Sequence, residues 1–246
     1  MKHHELFSME TALLELTREI ASQPQQPAEH YQEALLTLCQ HYERLIRESG
    51  RLITRSDRAE RELTRLNSEL QSLAHALEYK ATHDPLTEVF NRSAIIDRIT
   101  QALSRGRAGL ILLDIDHFKA INDTWGHPVG DKVIIELITR VRQSVPESGS
   151  IGRVGGEEFT VLLPGSSLAQ TVIIAGYIHA SLNAKPLSVL PERLVTASLG
   201  ISFGEQASDF EQLYGTADEA LYEAKRRGRN RLHWHEVKSL LTVNAQ

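Results

Sequence analysis

Between Glu5 and Ala21 the apolar side chains Leu6, Met9, Leu13, Leu16 and Ile20 fall at alternating steps of three and four, one stripe along a helix. Ser22-Gln23-Pro24-Gln25-Gln26-Pro27 interrupts it, and Pro27 suits the first turn of a second helix, so the pattern predicts a helical hairpin. From Ala28 a seven-residue register carries Leu35, Tyr42, Ser49, Ser56, Leu63, Leu70 and Leu77 at one position and Leu38, Leu45, Leu52, Ala59, Leu66 and Leu73 at another. This is a coiled-coil seam, weakest at Ser49, Gly50, Ser56 and Ala59, where underwinding or a hinge is expected. Cys39, among leucines, is expected to be a small packed side chain. The seam ends near Lys80, and Asp84-Pro85 stops the helix because the residue before a proline resists the α region.

Beyond that joint the periodicity alternates. The expected elements are a helix from Ser93 to Ser104, a strand ending at Asp114, a helix from Pro128 to Val145 and a hairpin around Gly155-Gly156. A helix from Ser167 to Asn183, a strand from Val195 to Phe203, a helix from Phe210 to Arg227 and a short strand from Arg231 to Trp234 follow. The mixture predicts an α+β domain, helices packed on a sheet, preceded by an all-α stalk. The boundaries are 1–81 for the stalk, 82–236 for the domain and 237–246 for a loose tail.

Two segments carry candidate chemistry. Gly109-Leu110-Ile111-Leu112-Leu113 reads as a buried strand that ends in Asp114-Ile115-Asp116, and carboxylates in that position are costly unless they bind a metal or meet solvent. In Arg153-Val154-Gly155-Gly156-Glu157-Glu158-Phe159 two glycines precede two acids; they are expected to give the turn a positive φ and to let a ligand approach the backbone. Together the segments gather oxygen ligands of the kind that hold Mg²⁺ beside a nucleotide triphosphate.

Composition narrows the setting. A formal charge of -5 over 246 residues argues against a long polyanionic partner, so no nucleic acid is expected. A single cysteine excludes an internal disulfide, and no apolar run suits a signal peptide or a membrane span, so a cytoplasmic protein with no membrane insertion is expected.

Read in order, Asp114-Ile115-Asp116-His117-Phe118-Lys119, Asn122-Asp123, Gly126-His127, Gly130-Asp131 and Gly155-Gly156-Glu157-Glu158-Phe159 resemble the GGDEF family of diguanylate cyclases, in its GGEEF form. Asp84-Pro85-Leu86-Thr87 with Asn91-Arg92 upstream, and Ala217-Asp218 through Lys225 to Gly228-Arg229-Asn230 downstream, agree with it over about residues 82 to 236. The resemblance implies a palm-like cyclase fold with a mainly antiparallel sheet. It also implies condensation of two GTP into cyclic di-GMP by a homodimer with two Mg²⁺ per active site, Mn²⁺ being an acceptable substitute.

Residue by residue, the resemblance implies that Asp114, the Ile115 carbonyl, Glu157 and Glu158 hold metal, with Glu157 also a candidate base for the attacking hydroxyl. The triphosphate is expected against the backbone at His117, Phe118 and Lys119 and at the turn glycines Gly155 and Gly156. Lys225 and Arg229, read as one turn apart at a helix end, are its cationic contacts. Asn122 and Asp131 are the implied guanine readers. Taken singly, Asn122 is more often a turn residue and Asp131 a first-turn acid.

Two positions depart from the family pattern. Glu88 replaces a usual glycine in the joint, and Pro146-Glu147-Ser148-Gly149 stands where many members carry the Arg-x-x-Asp that binds inhibitory product. The rival reading is a catalytically silent GGDEF-like nucleotide-binding scaffold; a cyclase making another cyclic dinucleotide is a third. The helical hairpin is also expected to dock an activating protein partner, against the alternative that its stripe simply packs on its own neighbours.

Overall fold

The computed structural model describes residues 8–23 and 27–235; Leu6, Pro24 and the tail expected from Val237 lie outside the described residues. The chain divides into two compact units, Met1–Ala74 and His75–Gln246.

The first unit contains helix α1 (Ser8–Ser22) and most of helix α2 (Ala28–Thr82). Leu13 and Leu14 of α1 share a groove of about 260 Å³ with Leu38, Tyr42 and Leu45 of α2, so the predicted hairpin forms. Only one line of the α1 stripe turns inward: Leu13 and Ile20 are half-buried with Glu10 and Thr17, whereas Met9 and Leu16 are exposed. On α2 the two seam positions part in the same way. Leu38 and Leu45 are half-buried, while Leu35 and Tyr42 face solvent. Cys39 is exposed, contrary to the packed role expected for it. The helix also runs through Gly50 without a break, because adding a residue to an existing helix costs far less than starting one. Further along, Leu63, Leu66, Leu70, Leu73 and Leu77 remain 46% to 67% exposed within the single chain.

The second unit is an α+β domain. In chain order it contains α3 (Arg92–Arg105), β1 (Ala108–Ile115), α4 (Phe118–Trp125), α5 (His127–Ser144), β2 (Ser150–Arg153) and β3 (Glu158–Pro164). Then come α6 (Leu168–Asn183), β4 (Ala197–Gly204), α7 (Phe210–Arg226) and β5 (Leu232–Trp234). The five strands lie in the order β2-β3-β1-β4-β5, antiparallel except for the β4–β5 pair. Short α4 occupies a stretch where the periodicity suggested no element, since only Phe118 and Ile121 of its eight residues are buried.

Central β1 is buried along its whole length, which explains its unbroken apolar run. Its side chains alternate between two cores. Leu110 and Leu112 pack with Ile95, Ile99 and Leu103 of α3 and Leu213, Ala217 and Leu221 of α7. Ile111, Leu113 and Ile115 join α4, α5 and α6 through Ile121, Ile134, Leu137 and Ile178. Gly200 of β4 has no room for a Cβ, which would run into the Ala217 carbonyl and the Leu221 amide. That close approach lays α7 directly on the sheet. Among the described residues no helix is long and apolar enough to cross a membrane.

The joint is built as expected, with one local surprise. Asp84 Oδ1 accepts hydrogen bonds from the Thr87 amide (3.0 Å) and hydroxyl (2.7 Å), and the turn closes through Glu88 N–H to the Asp84 carbonyl (2.9 Å). Glu88 has φ 56°, the left-handed region that suits the family's glycine. The turn is kept with a strained residue in it. Asn91 then caps α3, its Oδ1 accepting from Ala94 N–H (3.0 Å), while its Nδ2 donates to the Ala81 carbonyl (2.7 Å).

Candidate active site

Register brings the two acidic segments together. In the antiparallel β1–β3 pair Asp114 is the direct partner of Glu158, and Ile115 N–H donates to the Glu157 carbonyl at 3.3 Å. The hairpin between β2 and β3 is closed by Val154 and Gly155 N–H donating to the Glu158 carbonyl (3.0 and 3.3 Å). Neither Gly155 nor Gly156 uses a positive φ, so that part of the expectation is corrected. Gly155 is bare because the Glu158 side chain fills the place of its Cβ, and Gly156 opens onto free space. The glycines serve close approach and not backbone handedness.

Asp114 is only 6% exposed. Burial pushes its carboxyl above the ordinary range, Lys225 opposes this, and Glu158 and Asp116 add to it. Lys225 Nζ lies 2.8 Å from Asp114 Oδ2. Burial, then repulsion from Asp114, likewise raises the Glu157 carboxyl. Acids that disfavour one another's charge, with a cation already drawn to one of them, suit a hard divalent ion bound by oxygen. Among the described residues no three His, Cys, Asp or Glu side chains converge on one point. What the sheet does bring together is Asp114 facing Glu158 across β1 and β3, an open arrangement and not a closed cage.

The residues expected on the phosphate side come from two helix ends. At the start of α4, His117 has a left-handed φ of 59° and is exposed with Lys119. The Phe118 side chain is buried in the core, so what it can offer a ligand is its backbone at a helix N-terminus. At the other end, α7 closes with a Schellman motif: Arg229 N–H reaches the Ala224 carbonyl (3.1 Å) and Gly228 N–H the Lys225 carbonyl (3.3 Å), with Gly228 at φ 114°. Arg229 therefore lies beyond the helix, with φ 61°, and not one helical turn from Lys225 as the spacing suggested.

Asn122 and Asp131 lie on α4 and α5, which meet at Gly126 with φ 81°. Asn122 Oδ1 is buried without a hydrogen-bond partner, and Gly130 lacks a Cβ where one would overlap that oxygen. Asp131 is exposed. An amide and an acid on adjoining helices are groups that together offer donors and acceptors to a base edge.

Other residues of the site were not assigned roles from sequence. Arg153 donates from Nη1 to both oxygens of Asp84 (3.1 and 3.2 Å) and from Nη2 to the Gly156 carbonyl (2.7 Å), tying the joint to the acidic turn. The Tyr214 hydroxyl is raised by burial and by Glu158 and Asp218, with Arg92 opposing. Position Arg153 heads the acidic hairpin motif, but nothing local in the sequence names Asp84 as its partner.

Comparison with known proteins identifies the domain. A family model described as diguanylate cyclase, GGDEF domain, matches residues 81–231. Diguanylate cyclase DgcP of Pseudomonas aeruginosa is 42% identical over 159 residues, covering 62% of this chain and 24% of that protein. Probable diguanylate cyclase DgcT of Escherichia coli is 39% identical over 165 residues, covering 64% and 36%. The chain thus spans well under half the length of these two relatives. Among solved structures, the coiled coil and GGDEF domain of DgcB from Caulobacter crescentus, in complex with c-di-GMP, has a TM-score of 0.63 at 31% identity, over 72% of this chain and 98% of that one. Diguanylate cyclase SiaD of Pseudomonas aeruginosa, in complex with its activator SiaC, has a TM-score of 0.62 at 28% identity, over 93% and 100%. With its domain matched over residues 81–231 and its acids, glycines and cationic turn in the family's order, this chain belongs to the GGDEF-domain diguanylate cyclase family.

Proposed function

We propose that the protein condenses two molecules of GTP into cyclic di-GMP. Each 3′-hydroxyl oxygen attacks the α-phosphorus of the other GTP, the bond to the β-phosphate oxygen breaks, and two pyrophosphates leave. The observation that carries this reading is Asp114 set opposite Glu158 at the end of the sheet, with Lys225 against the Asp114 carboxylate.

Each residue then has a task. Asp114, the Ile115 carbonyl, Glu157 and Glu158 are the donors for two Mg²⁺, or Mn²⁺ in their place, and the ions supply neutralisation of the triphosphate charge. Lys225 and Arg229 bind phosphate oxygens, and the backbone at His117, Phe118 and Lys119 adds donors at the α4 N-terminus. The open side of Gly156, beside Gly155, lets the nucleotide approach the turn. Asn122 and Asp131 read guanine; adenine would present the wrong donor and acceptor order to them. Glu157, whose proton affinity is raised by burial and by Asp114, takes the 3′-hydroxyl proton.

Each domain presents one GTP, so two protomers must face one another. The exposed leucine line from Leu63 to Leu77 suits a parallel coiled coil between them. The α1–α2 hairpin, with Met9, Leu16 and Leu35 outward, is the surface proposed for an activating protein, a reading supported by the likeness to SiaD in its activator complex.

The test is to incubate the purified protein with Mg²⁺ and an equal mixture of GTP and ATP, and to identify products by mass spectrometry. Cyclic di-GMP alone is expected. No product would favour the silent scaffold, and an adenine-containing product would refute the guanine assignment.

A further inference from the structure

The second acid of the Asp-Ile-Asp segment, Asp116, is neither a proposed metal donor nor a proposed contact of the nucleotide. It is not available as a metal donor in the way Asp114 is. Asp116 is 4% exposed, and both its oxygens are engaged. Oδ1 accepts from the Ser198 hydroxyl at 2.7 Å; Oδ2 accepts from the Thr196 hydroxyl at 2.7 Å and from the Asn230 backbone N–H at 2.9 Å. Its own N–H donates to the Thr196 carbonyl at 2.9 Å. One carboxylate therefore joins the end of β1, the approach to β4 and the turn that follows α7.

That turn needs an external hold. The Schellman motif uses the left-handed conformation at Gly228, which is free to adopt it, but Arg229 and Asn230 follow with φ 61° and 45°. Two successive non-glycine residues in this region persist only when their surroundings determine them. Asn230 is held on its other side by a reciprocal amide pair with Asn183 (both 2.9 Å) and by His179 Nε2 at its carbonyl (2.9 Å). Asp116 supplies the acceptor of this set, one of its oxygens taking hydrogen bonds from both Thr196 and Asn230.

We propose that Asp116 is a positioning residue: its carboxylate clasps the Arg229-Asn230 turn to the end of β1, and so sets Arg229 where the triphosphate is bound beside Asp114. The proposal rests on the reading of Arg229 as a phosphate contact. Asp116 acts through Arg229, and it neither ligates metal nor touches substrate.

The test measures binding of an unreactive GTP analogue, with methylene in place of the α–β bridging oxygen, to the full chain in Mg²⁺ by calorimetry. Arg229→Ala and Asp116→Ala are each expected to weaken binding by about tenfold, and the double variant to bind no more weakly than Arg229→Ala alone. Asp116→Asn is expected to stay within about threefold of the parent, since its carbonyl oxygen can accept from Thr196 and Asn230 while its amide donates to the Ser198 hydroxyl. Mn²⁺ binding, followed by electron paramagnetic resonance, should be unchanged in Asp116→Asn and lost in Asp114→Asn. Thr196→Val, a milder change than Asp116→Ala should that variant not fold, is expected to cost about threefold, and nothing in the Arg229→Ala background.

Loss of Mn²⁺ binding in Asp116→Asn would make Asp116 a ligand and overturn the proposal. So would additive losses in the double variants, provided Arg229→Ala itself weakens binding. Unchanged affinity in Arg229→Ala would instead remove the phosphate reading of Arg229, and the clasp's purpose with it.

Discussion

Asn122 Oδ1 is buried without a protein partner, and the place a Cβ would take on Gly130 is occupied by that same oxygen. Such a group costs about 1–3 kcal/mol unless a ligand or water satisfies it. Gly130→Ala should therefore push the amide out of line and raise the KM for GTP by about tenfold, equivalent to about 1.4 kcal/mol, with a smaller effect on kcat. An unchanged KM would mean that Asn122 is not reading the base. Asp84 gives a second test. Burial is the largest influence on its carboxyl and pushes it up, but hydrogen bonds from Thr87 and Arg153 together outweigh burial and hold it below the ordinary range. A depressed carboxyl contributes stability above about pH 4, the ordinary value for aspartate, and loses it as the pH falls through the folded-state pKa. Asp84→Asn should thus cost about 2 kcal/mol at neutral pH, with the difference from the parent shrinking as the pH falls below the ordinary aspartate range. Denaturant unfolding at several pH values measures this, and a pH-independent difference would contradict it. That Asp114 would meet the Glu157-Glu158 pair was legible in sequence because each lies in a short contiguous word. Asp116 was not, because its partner Asn230 lies 114 positions away and only the fold brings the two together.

At the scale of elements, β1 could be read directly because a strand covered on both faces is apolar throughout. Helix α4 could not, since two buried side chains in eight residues leave no period to detect. The Gly155-Gly156 pair marked the hairpin for a reason other than the one expected. Conformation at the pair is ordinary, and what matters is the space the glycines leave to Glu158 and to a ligand. The real positive-φ cost falls at Glu88, where a side chain occupies a turn that prefers glycine. Glu88→Gly should accordingly raise stability by about 0.5–1 kcal/mol, the relief of left-handed strain exceeding glycine's greater entropy loss. Equilibrium unfolding would detect that gain, and a loss would show that the Glu88 side chain does more than sit in the turn.

At the scale of the whole molecule, the stalk presents an apolar line from Leu63 to Leu77 that a single chain leaves exposed. Full burial of a leucine stabilises by about 1.5–3 kcal/mol, so five per helix suffice to hold a pair of stalks together. Leu70→Asp combined with Leu73→Asp should give a folded monomer by analytical ultracentrifugation, with cyclase activity falling by at least about a hundredfold because single domains cannot present two GTP molecules to one another. A variant that remains dimeric would place the interface elsewhere. The seven-residue register made this seam visible in sequence, whereas the split of its two positions along the hairpin, Leu38 and Leu45 inward against Leu35 and Tyr42 outward, depends on how α1 lies on α2.

The proposed chemistry depends most directly on Asp114 and Glu157. Cyclic di-GMP and pyrophosphate should be quantified together from GTP and Mg²⁺, using the parent protein beside Asp114→Asn and Glu157→Gln, both checked for native melting. The predicted result is two pyrophosphates per cyclic di-GMP in the parent, and a loss of at least about two to three orders of magnitude in rate in either variant. Unconverted GTP with the dimeric parent, or near-normal turnover in folded Asp114→Asn, would contradict it.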